Sequence, residues 1–173
     1  MGLPATNSAG QSADGMIGAV RLLPRKPPVL EIPHPDRYEL ADQATLLGYD
    51  LPSQTVSWGE SLELTLYWQA QTRMSESYHV FVHLDSAGTG GQTVAQGDKA
   101  PLDGDWPTWA WEPAQPFADH YTVRVPPGVA PGRYSVWVGM YRPTDGARLD
   151  VFGLADRIRD RAIWLADVEI GHQ

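Results

Sequence analysis

Residues 61–69 read SLELTLYWQ, and their alternation decides the fold. Leu62, Leu64, Leu66 and Trp68 fall on one face of an extended chain, while Glu63, Thr65, Tyr67 and Gln69 fall on the other. A period of two is the signature of a half-buried strand, because successive side chains of an extended backbone point to opposite sides. The same period recurs on either side. YHVFVHLD (78–85) separates Val80, Val82 and Leu84 from His79, Phe81 and His83. RYSVWVGMY (133–141) separates Tyr134, Val136, Val138 and Met140 from Ser135, Trp137, Gly139 and Tyr141. Further strands are predicted at 44–51, 93–98, 120–125, 148–152 and 162–170, divided by turn-forming stretches such as AGTGG (87–91), PPGVAPG (126–132) and PTDG (143–146). LADRIRDRA (154–162) has some helical spacing but reads as a turn or a single helical turn.

About eight short strands, each with one clean apolar face, predict an all-β, two-sheet antiparallel sandwich. An immunoglobulin-like order is expected over a jelly roll of the kind seen in carbohydrate-binding modules. The strands follow hairpin order, with one long crossover at 99–117.

Composition agrees and excludes other classes. The 173 residues are 42% hydrophobic and 20% charged, enough apolar material for a core. A net charge of −8 argues against a nucleic-acid partner, which requires a cationic surface. No apolar run approaches the length of a membrane span. With no Cys, disulfides, thiolate catalysis and Cys-bound metals are excluded. Neither a G-x-S-x-G elbow nor a phosphate-binding G-x-x-x-x-G-K-[ST] occurs.

The domain is expected over 38–173, preceded by 1–37. Residues 1–18 are small, polar and Gly-rich, lack the pattern of an intact signal peptide, and read as a flexible leader. AVRLLPRKPPVLEIPHP (19–35) has too many prolines for a helix, yet carries Val20, Leu22, Leu23, Val29, Leu30 and Ile32. It reads as an extended apolar segment laid along a surface, or as a strand donated to another copy of the chain.

Two features suggest contact surfaces. DGDWPTWAWEP (103–113) places Trp106, Trp109 and Trp111 within six residues, beside Asp103, Asp105 and Glu112. Indoles offer flat apolar faces for sugar rings, and carboxylates accept hydroxyl hydrogen bonds. Trp111 is expected in the core and Trp109 on the surface. The second feature is the outward stripe Tyr67, His79, Phe81, His83, Trp137 and Tyr141. It is larger than solvent normally tolerates, so it is expected to be covered by the Trp-rich loop, the N-terminal segment or a partner. Trp106, Trp109, Glu112, Trp137 and Tyr141 are the candidate ligand contacts.

No metal or cofactor is expected. On a strand, His79 and His83 stand roughly 13 Å apart, too far to share one ion. Asp103 and Asp105 lack the rest of a calcium loop. The acidic sets Asp103/Asp105/Glu112 and Asp156/Asp160/Asp167 read as solvated charge rather than a catalytic pair.

Three ordered motifs carry a family resemblance: LLGYDLPSQTVSWGESLELTLYWQA (46–70), VFVHLDSAGTGGQTVAQGDKAPLDGDWPTWAWEP (80–113) and VPPGVAPGRYSVWVGMYRPTDGARL (125–149). Together they resemble the C-terminal extracytoplasmic β-sandwich domain of bacterial membrane glycosyltransferases of the dolichyl-phosphate-mannose-dependent family 39 type, notably from Chloroflexi-like bacteria. The resemblance covers about residues 40–170. It implies an extracytoplasmic or cell-surface module fused to a polytopic enzyme, and no catalytic residue carries over from it to this chain. The functional expectation is a non-catalytic module binding a glycan or a cell-envelope protein. The alternative is an assembly subunit that forms homo-oligomers through its N-terminal segment.

Overall fold

A computed structural model describes residues 30–87 and 91–171. Among these residues eleven strands follow one another: β1 (His34–Leu40), β2 (Ala44–Asp50), β3 (Thr55–Ser57), β4 (Ser61–Ala70), β5 (His79–Ser86), β6 (Thr93–Gln96), β7 (Pro116–Arg124), β8 (Gly132–Tyr141), β9 (Val151–Phe152), β10 (Ile158–Arg159) and β11 (Ala162–Gly171). They form two packed sheets, the first ordered β7-β4-β2-β1-β9 and the second β10-β11-β8-β5-β6. All these pairings are antiparallel; β3 adds to β11 in parallel. The chain is therefore an all-β sandwich.

Its connectivity is immunoglobulin-like. β2, β4 and β7 occupy the places of strands A, B and E, and β11, β8, β5 and β6 those of G, F, C and a fourth strand beside C. The turn into β8 holds the tyrosine corner of such sandwiches: the Tyr134 hydroxyl donates to the Ala130 carbonyl at 2.6 Å. β1 and β9 extend the first sheet.

The core follows the period-two reading. Leu62, Leu64, Leu66 and Trp68 of β4 meet Val80, Val82 and Leu84 of β5 and Val136, Val138 and Met140 of β8 between the sheets, all buried. Three strands escape the sequence pattern. β1 begins at His34, ahead of the expected Tyr38, and contains Pro35. Proline is tolerated because β9 pairs only with Glu39 and Leu40, and because the β1–β2 register slips between Pro35 and Tyr38. Gly48 of β2 makes this possible: its φ is +139°, and a Cβ there would lie 2.3 Å from the His34 carbonyl oxygen. β3 and β10 are too short for any periodicity. Residues 155–157 form a single 3-10 turn, as the reading of 154–162 anticipates.

Candidate binding surface

The outer face of the second sheet carries most of the aromatic stripe. Across β5 and β8, His79 faces Tyr141, Phe81 faces Gly139 and His83 faces Trp137. Trp137 is in turn opposite Trp164 of β11. Gly139 makes room for Phe81, since a Cβ there would fall 2.5 Å from the ring. Tyr67 does not join them. It lies on β4 of the first sheet, where it is buried, because β4 and β5 sit in different layers.

Among the described residues the stripe is covered by the chain itself, through a segment other than the Trp-rich loop. The connection from β8 to β11 folds back and lays arginines on the rings: Arg148 on Phe81 at 4.3 Å, Arg159 on Trp137 at 4.1 Å and Arg157 on Trp164 at 5.0 Å from guanidinium carbon to centroid. Each guanidinium is fixed by a second contact. Arg159 reaches the buried carboxylate of Asp85 at 2.6 Å, which also accepts from Thr93 Oγ1 at 2.7 Å. Arg157 reaches Asp36 of β1 at 3.2 Å. Arg148 donates to the Asp160 backbone carbonyl at 3.0 Å and makes no ion pair among the described residues. These arginines were missed in the sequence because a local pattern does not say which rings a connection will cross; only the return of this segment onto β5, β8 and β11 aligns them.

Two adjoining clefts remain between rings and arginines. One, of about 340 Å³, is lined by Phe81, His83, Asp85, Trp137, Arg148 and Arg159 among others. The other, of about 250 Å³, is lined by Phe81, His83, Asp98, Tyr141, Gly146 and Arg148. His83 Nε2 lies 3.3 Å from the Asp98 carboxylate. The Trp137 indole N–H is buried and has no acceptor among the described residues. Burial raises the Tyr141 phenol above its usual range, helped by the nearby Asp98 charge.

The remaining candidates sit elsewhere, on the connection from β6 to β7. Trp111 is 1% exposed, its ring edge-on to Phe117 at 4.5 Å and its N–H donating to the Trp106 carbonyl. Trp106 is half-buried against Phe117 at 4.9 Å and donates to the Ala110 carbonyl. Thr108, fully buried, donates to the Glu76 carbonyl and accepts from the Tyr78 N–H, which ties the loop to the β4–β5 connection. Trp109 is 57% exposed. Glu112 is held by Arg73 in a two-oxygen contact at 2.7 and 2.8 Å. Trp137 and Tyr141 thus share the sheet face, whereas Trp106, Trp109 and Glu112 belong to the loop.

The acidic sets do not converge. Asp103 pairs with Lys99, Glu112 with Arg73, and Asp167 with Arg133, Ser135 and Trp164. Among the described residues no three His, Asp or Glu side chains are grouped to hold a metal ion. Of the N-terminal segment, Val20, Leu22, Leu23 and Val29 lie outside the described residues. Leu30 and Ile32 are half-buried, with Ile32 packed beside Gly48.

No protein-family profile and no curated protein matches the chain. Among solved structures it is similar to a β-glucosidase from Listeria innocua. The mutant enzyme with laminaribiose matches at 16% identity and a TM-score of 0.39, over 79% of this chain and 16% of that one. The same β-glucosidase, described without a ligand, matches at 14% and 0.40, over 80% and 16%. The chain spans about 16% of the length of those proteins.

Proposed function

We propose that this chain is a non-catalytic glycan-binding module, of the extracytoplasmic kind its sequence resembles. The observation that supports this reading is the pair of ring-floored clefts flanked by arginines on the outer face of the second sheet. Sugars present C–H faces that stack on rings and hydroxyls that need polar partners at the rim. The rings stand on the paired strands β5 and β8, and the arginines over them are already held by second contacts, so little ordering is required on binding. Arg148, with no carboxylate partner among the described residues, favours sugars bearing a carboxylate of their own. Asp85 and Asp98, whose carboxylates line the clefts, are already engaged by Arg159 and His83 and serve to hold the site rather than to transfer protons. Trp109 offers a separate exposed ring.

A glycan array probed with the full chain tests this. Binding is expected to favour uronic-acid-containing glycans. Arg148→Ala should weaken it about tenfold, the value of one charge-assisted hydrogen bond, with the melting temperature monitored in parallel. Trp109→Ala measures the loop's share. A folded protein that leaves the array blank overturns the reading.

A further inference from the structure

Thirteen residues of this chain are Lys or Arg, yet only Lys26 and Lys99 are lysine. Lys99 follows β6 and is locked to β5 by two backbone hydrogen bonds with Val80, each 3.0 Å. Its ammonium reaches across to the other sheet. There Asp119 occupies an inward position of β7, in the series Phe117, Asp119, Tyr121, Val123, all buried. Lys99 Nζ lies 3.2 Å from Asp119 Oδ1, and the Asp119 side chain is wholly inaccessible to solvent. The other oxygen, Oδ2, accepts a short hydrogen bond from the Tyr121 hydroxyl. The Tyr121 ring lies 4.7 Å from the ammonium. Asp103 places a second carboxylate 3.0 Å from the same nitrogen, on the solvent side.

A simple ion pair does not account for this choice of residue. Arginine grips a carboxylate through two parallel hydrogen bonds and is the better partner for a buried one. A chain that uses arginine almost throughout has lysine at this position. What lysine offers and arginine does not is an amine that can be acylated. We propose that Lys99 and Asp119 condense to an intramolecular isopeptide bond joining the two sheets.

The step balances without an added reagent. Nζ forms a bond to Cγ of Asp119, and the Cγ–Oδ1 bond breaks. Two of the three ammonium protons leave with Oδ1 as water, and the third remains on the amide nitrogen. Asp103 accepts the first proton from Nζ and passes it to the departing oxygen. Oδ2 becomes the amide oxygen and keeps its hydrogen bond from Tyr121. Burial and the neighbouring Asp119 charge hold that phenol far above its ordinary range, so it stays a donor throughout. The fold supplies proximity, which converts an unfavourable encounter into a unimolecular step. The product replaces a desolvated ion pair with a neutral amide, removing the cost of a buried charge. Water leaves through a cleft of about 340 Å³ lined by Lys99, Asp103, Asp119 and their neighbours.

The test is the intact mass of the purified, denatured full chain, followed by peptide mapping. The expected mass is lower than the sequence mass by one water, with a branched peptide joining Lys99 to Asp119. Lys99→Arg and Asp119→Ala should each run at full sequence mass. A wild-type chain at full mass overturns the proposal. So does a water loss that persists in Lys99→Arg, which would mark dehydration at an Asp-Gly step such as Asp103-Gly104 instead.

Discussion

On the outer face of the second sheet, rings are sealed by guanidinium groups; in the loop between β6 and β7, they are sealed by other rings and by backbone carbonyls. Trp137, Phe81 and Trp164 each carry an arginine that is itself tied to an acidic or carbonyl oxygen. Trp111 and Trp106 pack on Phe117, and their N–H groups are satisfied within the loop. The difference teaches which surface is open to exchange. A polar cover over an apolar floor leaves donors and clefts among the rings themselves, whereas the ring-on-ring cover around Trp106 and Trp111 spends the indole N–H groups on carbonyls within the loop. The Trp-bearing part of the loop is therefore a plug in the sandwich with one ring, Trp109, to spare, while the sheet face keeps clefts between its rings and arginines.

Trp111→Ala is the strongest way to break this contrast. Removing a fully buried indole is expected to cost about 3–5 kcal/mol, read as a lower urea midpoint with the slope unchanged. Next comes Arg159→Ala, which strips Trp137 of its cover and leaves Asp85 with Thr93 alone. Its guanidinium is partly exposed, so a loss of about 1–2 kcal/mol is expected, together with increased solvent accessibility of Trp137 in fluorescence quenching. If quenching does not change, the arginine is not the cover.

Alkaline titration distinguishes the regions more finely. Burial raises the Tyr141 phenol on the sheet face, and it raises Tyr38, Tyr49, Tyr67, Tyr78 and Tyr121 elsewhere. A phenol raised by folding contributes stability that is intact below its unfolded value of about 10 and is lost as pH climbs above it. Stability should fall above that pH, and Tyr141→Phe should remove one part of the slope. The smallest effect is expected from Trp109→Ala, within about 0.5 kcal/mol of wild type. A larger loss would mean that this ring is structural after all.

Much of the fold was legible because alternation is a local signal. SLELTLYWQ, YHVFVHLD and RYSVWVGMY each declare a strand and a buried face, since the pleat converts residue parity into side. β1 was hidden by Pro35, whose position is harmless because β9 pairs only with Glu39 and Leu40 and the β1–β2 register slips beside it. The site was half legible. His79, Phe81, His83, Trp137 and Tyr141 were visible as outward residues, but Tyr67 was wrongly grouped with them. Parity reports the side of a strand and not the sheet to which it belongs. The expectation for the loop, Trp111 inside and Trp109 outside, agrees with the burial found.

The sequence alone pointed to a β-sandwich and to the inward parity of its long strands β4, β5 and β8, because alternation is read from neighbours one and two residues away. Tertiary structure alone decided that arginines 148, 157 and 159 cover the rings of the outer face, and that Lys99 meets Asp119 across the layers. The β8–β11 connection returns over its own sheet to meet the rings, and the packing of one sheet on the other brings Lys99 to Asp119; neither is written in the neighbours along the chain.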